Sequence, residues 1–470
     1  MTTSSSQSPQ PSLWRALGDA LRGSEADYTS IPLKRAIFLL AVPMMLELVM
    51  ESTFAIIDIY FVGKLGASAV ATVGLTETFL FLIYSIGMGL AMAVTAIVAR
   101  RTGEKNPDAA AVAAVQSIIV GVAVSLPFAI IGIVYARDLL ALMGADAWTL
   151  GEGYRYAQVM LGGNVVIVLL FVINAIFRGA GDAAIAMRVL WIANAVNIVL
   201  DPLLIFGIGP FPELGVTGAA VATTIGRGIG VALQLWWLFK GGKHIHVRAA
   251  HLKFSAAVML NIVKTSLGGV GQMVVAMMSW VFLMRILAEI GSVAVAGATI
   301  TIRLLHLTLM PAWGMSNAAA TLVGQNLGAG QPDRAEAAVW SIGRYNMVFL
   351  LAVSVLFWFR NEALISIFSD DPDVIRIGGE WVRILSYSYF VYGWWMVAVQ
   401  AFNGAGDTRT PTLINVVFFW LIQIPLSWWL AVSLGWMESG VFWGVFISET
   451  SVGLFTLWLF TRGSWKQTRV

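Results

Sequence analysis

Phe177-Arg178-Gly179-Ala180-Gly181-Asp182 returns 225 positions later as Phe402-Asn403-Gly404-Ala405-Gly406-Asp407. Held at that offset, the match spreads outward in both directions. Gly66, Ala69, Val70 and Ala71 meet Gly291, Ala294, Val295 and Ala296, Gly89 meets Gly314, and Pro107-Asp108 meets Pro332-Asp333. On the far side, Glu213, Gly215 and Val216 meet Glu438, Gly440 and Val441. One ungapped offset over roughly 150 residues marks an internal duplication. The basic stretch 240–257 links its two copies.

Composition says where such a duplicated chain resides. Of 470 residues, 58% are hydrophobic and 12% charged, and the mean hydropathy is +0.80. An ordinary soluble protein carries about 25% charge, so this is an all-α polytopic membrane protein. Soluble enzymes, nucleic-acid binders and disulfide scaffolds are excluded, and no nucleic-acid partner is expected. The net charge of +3 is small, and membrane orientation explains its loop placement better than nucleic acid does. With no Cys, disulfides, thiolate metal sites and Cys nucleophiles drop out together.

About 20 apolar residues cross a bilayer as a helix, and lipid offers the backbone no other partners. The runs are continuous rather than alternating, which argues against a barrel. They predict twelve spans, at about 36–61, 69–98, 110–134, 151–177, 184–206, 215–239, 258–287, 293–323, 335–358, 378–402, 411–434 and 439–461. The expected division is a tail at 1–35, a first lobe at 36–239, a linker at 240–257, a second lobe at 258–461 and a tail at 462–470. Residues 1–30 are polar and hold no apolar h-region, so no cleaved signal peptide is expected.

Lys34, Arg35, Arg100, Arg101, Lys105, Arg178, Lys240, Lys243, Arg248, Lys253, Arg334, Arg409, Arg462, Lys466 and Arg469 all fall on one side of these spans. The other side offers little beyond Lys64, Arg137, Arg360 and Arg376, which predicts both termini in the cytoplasm. Six spans per copy make the halves parallel repeats about an axis along the membrane normal, with a central cavity between them. That organisation points to a secondary transporter working by alternating access. A monomer surrounded by membrane lipids is expected.

Ionisable groups at membrane depth are functional candidates because they are costly there. Span one carries Glu47, Glu51 and Asp58 at about 0°, 40° and 20° around the helix, over about 16 Å of its length. In span five Asn194, Asn197 and Asp201 form a second polar stripe before Pro202, which frees a backbone carbonyl one turn back. Glu77 opens span two, either as part of this cluster or as an interface residue. Such a set suits proton exchange or a small hard cation such as Na⁺ at Asp58, Asn197 and Asp201; a structural hydrogen-bond network is the other reading. At the 225 offset Glu47, Glu51, Asp58 and Asp201 become Gln272, Ala276, Leu283 and Leu426. The second lobe is instead aromatic and Met-rich, which makes Gln272, Met273, Tyr387, Tyr392 and Trp395 candidate substrate-cavity residues.

No GxxxxGK[ST], HExxH, GxSxG or TVGYG occurs, so ATP hydrolysis within the chain, intramembrane proteolysis, acyl chemistry and a potassium filter have no support. No enzyme and no cofactor are expected, and the energy must come from an ion gradient.

Asp58-Ile-Tyr-Phe-Val-Gly63, Arg178-Gly-Ala-Gly-Asp182, Asp201-Pro202, Glu213-Leu-Gly-Val-Thr-Gly218, Gly324-Gln-Asn-Leu-Gly-Ala-Gly330 and Asn403-Gly-Ala-Gly-Asp407-Thr-Arg-Thr-Pro411 occur in that order. In that order, and with Pro43 in span one, the chain resembles the multidrug and toxic compound extrusion (MATE) transporters over nearly its whole length. The GxxxDRxGRR loop of the major facilitators is absent. The resemblance implies export of drugs and other bulky, mainly cationic amphiphiles across a bacterial inner membrane in exchange for H⁺ or Na⁺. It also implies a coupling role for Asp58 with Asn197 and Asp201, and a proline bend at Pro43. The acids that some sodium-coupled members carry on spans seven and ten correspond to Ala276 and Tyr392 here. The competing readings are a lipid-linked or anionic-substrate flippase, which Arg303 and Arg227 could serve, and a passive channel.

Overall fold

A computed structural model describes residues 13–241 and 244–469. The first twelve residues of the expected N-terminal tail and Lys243 of the linker lie outside the described residues. Helix α1 (Leu13–Arg22) lies against α2 (Leu33–Gly63), which runs unbroken through Pro43. There follow α3 (Ala67–Gly103), α4 (Pro107–Leu142), α5 (Tyr154–Gly162), α6 (Asn164–Ala180), α7 (Ala183–Phe206) and α8 (Val216–Lys240). The second half contains α9 (Ala256–Ile290), α10 (Ser292–Gly328), α11 (Pro332–Ile365), α12 (Pro372–Ser386) and α13 (Tyr389–Ala405). Next come α14 (Arg409–Asn415) and α15 (Ile424–Trp428), joined by π-helical turns into one span, Arg409–Ser433, and finally α16 (Met437–Thr461).

Among the described residues eleven helices are long and apolar enough to span a membrane. The expected tenth span is the twelfth element. It is split into α12 and α13 because the helix breaks at Ser388, where φ is −133°. Its repeat partner breaks at Gly163, between α5 and α6. The duplication therefore extends to helix defects. Helices α3 and α10 each contain 37 residues, and α6 and α13 each contain 17. Gly181 and Gly406 close α6 and α13 at φ +101° and +93°, the left-handed geometry that a side chain disfavours. Outward-facing apolar side chains such as Ile130, Val134, Leu351, Val355 and Leu421 are exposed, as suits a hydrocarbon surround.

The halves meet where glycines let helices touch. A Cβ on Gly89 of α3 would lie 2.4 Å from Val270 N on α9, and one on its repeat mate Gly314 of α10 would lie 2.6 Å from Met45 Cα on α2. Nearer the end that carries both termini, a Cβ on Gly103 would lie 1.9 Å from Gln325 O, and one on Gly328 would lie 2.2 Å from Arg100 O. Thr321 Oγ1 donates to Arg178 O (3.1 Å) and Gln325 Nε2 to Gly179 O (2.9 Å), joining the halves at this end. The chain before α2 adds a strap across it. Tyr28 OH donates to Gly181 O (3.2 Å), Arg334 Nη2 donates to Tyr28 O and Ile31 O, and Lys105 Nζ meets Asp27 at 2.6 Å. Burial opposes ionisation of Asp27, but bonds from Lys105 and Thr29 outweigh it and hold its carboxyl down at about 2. A lowered carboxylate pKa favours the bonded form above the free value of about 4 and loses that advantage only as pH falls through the bound value. The contact thus persists across the physiological range.

Candidate functional site: a charged cavity between the halves

A cavity of about 440 Å³ opens between the halves, away from the sealed end. Four repeat-related pairs line it: Met88 with Trp313, Met92 with Asn317, Thr95 with Ala320, and Arg178 with Asn403. The cavity therefore lies on the axis that relates the repeats, and the two halves offer different chemistry from equivalent positions. Glu47, Glu51, Asp58, Glu77, Asn174, Thr223 and Arg227 line it from the first half.

The stripe expected on span one thus faces the cavity, but two of its acids are already answered. Glu47 is buried and its Oε1 accepts from Arg178 Nη1 and Asn174 Nδ2, both at 3.2 Å. Gln234 Nε2 donates in turn to Asn174 Oδ1, which fixes the amide. Glu51 accepts from Arg227 Nη2 (3.0 Å) and Asn194 Nδ2 (3.2 Å). Each arginine repays part of the desolvation of its carboxylate, and loss of one partner from such a pair typically costs about 3–5 kcal/mol. Arg178, expected among the basic loop residues, is the last-turn residue of α6, where a cation also meets the negative end of the helix. Its side chain turns inward to Glu47.

Asp58 and Glu77 differ. Both line the cavity, and among the described residues neither has a cation within ion-pair distance or a hydrogen-bond donor. Asp201 is fully buried, and both of its carboxylate oxygens lack a donor. It lies within electrostatic range of Asp58. Asn197 is buried beside it on α7, with Nδ2 donating to Thr223 Oγ1 (3.0 Å) and Oδ1 unpartnered. The two stripes read from spans one and five thus meet directly through the bond from Asn194 to Glu51.

The substrate-cavity set does not gather there. Gln272, Met273, Tyr387, Tyr392 and Trp395 do not line this cavity. Tyr387 is exposed against Trp358 and Trp443, while Tyr392 packs on Tyr389 and Trp395, and Trp395 in turn on Phe419. Gln272 is buried on α9, where its backbone carbonyl accepts from Asn415. The second-half cavity wall is instead Met310, Trp313, Asn317, Ala320, Gln400 and Asn403. Arg303 and His306 are exposed and line no part of it. Sequence reasoning also passed over a buried acid in the second half, Glu449 of α16, which accepts from Gln423 Nε2 at 3.4 Å. Its signal was a lone charge within span twelve.

With that geometry in place, relatives become informative. The MatE family profile matches residues 43–203 and again 269–429, one copy per half. A FAD transporter of Shewanella oneidensis is 27% identical over 411 residues, 85% of this chain and 88% of that one. A probable multidrug resistance protein NorM of Thermotoga maritima is 26% identical over 440 residues, 93% of this chain and 94% of its own. Among solved structures, a MATE in complex with MaD3S superposes with a TM-score of 0.86 at 24% identity, covering 96% of this chain and 99% of that one. A MOP superfamily transporter from Pyrococcus furiosus, described as having a binding pocket of reverse polarity, gives 0.84 at 24% identity, covering 96% and 98%. The chain belongs to the MatE family: it is a multi-span membrane transporter and not an enzyme.

Proposed function

We propose that the protein is an H⁺-coupled antiporter that exports amphiphilic organic cations across the bacterial inner membrane. Its basic loops and both termini face the cytoplasm, so the structure represents the outward-open state. One observation carries this reading. Arg178 and Arg227 pair with Glu47 and Glu51, which leaves Asp58 and Glu77 on the cavity wall, and Asp201 behind it, without a cation at ion-pair distance among the described residues. An organic cation neutralises such a wall from within the cavity, and a proton neutralises it from outside. Both cannot do so at full strength, and that competition is what exchange requires. Of Asp58, Asn197 and Asp201 only Asp58 lines the cavity, so a proton, which one bare oxygen satisfies, suits this site better than Na⁺, which would also need the two residues behind the wall. In this scheme Asp58 takes a proton from the outside, the cation departs, and closure of the open end returns the proton to the cytoplasm. Pro43, about a third of the way along α2, is the position where that helix can bend without losing a hydrogen bond it already lacks.

Efflux of a fluorescent organic cation from proteoliposomes, under imposed H⁺ or Na⁺ gradients separately, tests the reading. Transport driven by H⁺ and indifferent to Na⁺ is expected. Transport driven only by Na⁺ would recast Asp58, Asn197 and Asp201 as cation ligands. A second reading has specific support, because Arg178 and Arg227 line the cavity and one relative is named a FAD transporter. Saturable transport of an aromatic anion, with no cation transport under either gradient, would favour it.

A further inference from the structure

Asn317 on α10 and Gln400 and Asn403 on α13 form a directional ladder of side-chain amides on the second-half wall of the cavity. Asn403 Nδ2 donates to Gln400 Oε1 (3.1 Å), and Gln400 Nε2 donates to Asn317 Oδ1 (2.8 Å). Both ends are open. Asn403 is 1% exposed and its Oδ1 has no donor. At the other end Asn317 is half-buried, and among the described residues its Nδ2 has no acceptor.

We propose that this ladder is a substrate subsite that binds the hydrogen-bonding edge of a carboxamide, lactam or imide on the transported molecule. The inference rests on the reading of the cavity as the transport site and goes on to name the substrate class. Three considerations support it. The acceptor at the buried end of the ladder keeps its desolvation penalty until a ligand or water ordered by one answers it. Asn317 lines the cavity with an open amide, so the oxygen or, once the amides turn over, the N–H of an amide edge finds a partner there. The same positions in the first half are Met92, Ala175 and Arg178, so the duplicated scaffold does not itself require amides there.

The ladder can also be read in reverse. If all three amides turn over, both internal hydrogen bonds persist while Asn317 presents its oxygen. One wall then accommodates either polarity, which suits a site that takes molecules of varied chemistry. The amides share the Arg178 end of the cavity, and Asp58 lies further along α2. Eleven residues of helix, from Glu47 to Asp58, separate those levels by about 16 Å. A cationic centre at the acid end and an amide edge at the sealed end define an elongated amphiphile.

The test uses a matched pair of probes, tetraphenylphosphonium and its para-carboxamide derivative, binding to the full-length protein in detergent by calorimetry. Wild type is expected to bind the carboxamide about tenfold more tightly, the gain from one to two buried hydrogen bonds. Asn317→Leu and Gln400→Leu should weaken the carboxamide about tenfold relative to the parent cation, read as the ratio of the two Kd values within each variant. Asn317→Gln, which keeps the amide, should retain most of the preference. Melting temperatures establish that each variant is folded. Equal weakening of both probes, or an undiminished carboxamide preference in both Leu variants, overturns the subsite. Equilibrium binding needs no gradient, so selectivity without proton exchange would defeat the antiport reading alone. Proton-driven export with no carboxamide preference would defeat the subsite alone, and a wild type that binds neither probe overturns both.

Discussion

Asp58→Asn lowers H⁺-driven export of an organic cation by about tenfold or more while leaving the fold intact. The asparagine is nearly isosteric but can neither hold a negative charge nor take a proton. Asp58 has no arginine partner to strand, unlike Glu47 and Glu51, so its loss leaves no uncompensated guanidinium behind. The expected signature is a split between functions. Gradient-driven efflux in proteoliposomes falls to background, whereas the melting temperature in detergent stays within a few degrees. If Asp58→Asn retained full H⁺-driven efflux, the coupling role would have to move to Glu77 or Asp201. A variant that merely unfolded would show loss of melting as well as transport.

Gly103→Leu is expected to act at the opposite end of the cavity with a comparable effect. A Cβ at this position meets the backbone oxygen of Gln325 at 1.9 Å, and no side-chain rotamer relieves a clash with backbone. The helices α3 and α10 must then part, and with them the bonds from Thr321 and Gln325 that seal the halves. Because the chain contains no Cys, a single introduced thiol is a clean reporter. Thr321→Cys is fully buried in the seal and should react slowly with a water-soluble maleimide in the otherwise unchanged protein. Adding Gly103→Leu should raise that rate about tenfold or more, with export lost in parallel. An unchanged labelling rate with full export would mean that this crossing does not close the cavity.

The outcome at each residue shows what a single chain of letters contains. The duplication carried the architecture, since α3 and α10, and α6 and α13, begin where one constant offset places them. Even the split tenth span has its precedent at Gly163, although an apolar run gives no sign of a break that depends on one residue's φ. The acidic stripe was readable because helical periodicity puts Glu47, Glu51 and Asp58 on one face whatever that face meets. What answers each charge was not readable. Arg178 follows an apolar run and so resembles a loop charge, and only the packing of α2 against α7 and α10 brings Glu47 within its reach. Tyr387, Tyr392 and Trp395 lie off this cavity for the same reason. Composition places Tyr392 and Trp395 in the membrane, but Phe419, on which Trp395 packs, comes from a helix that sequence spacing does not orient. Glu449 was overlooked because it stands alone, with no second acid at helical spacing to form a stripe.

The competition of proton and cation for one unpaired carboxylate is tested most directly by counting protons. An organic cation is titrated into purified protein in weakly buffered, Na⁺-free detergent solution, and the pH change is followed for wild type and Asp58→Asn. Release of about one proton per bound cation by wild type, and of almost none by the variant, is the predicted result. Tight binding with no proton release by wild type, or equal release by both proteins, would contradict it.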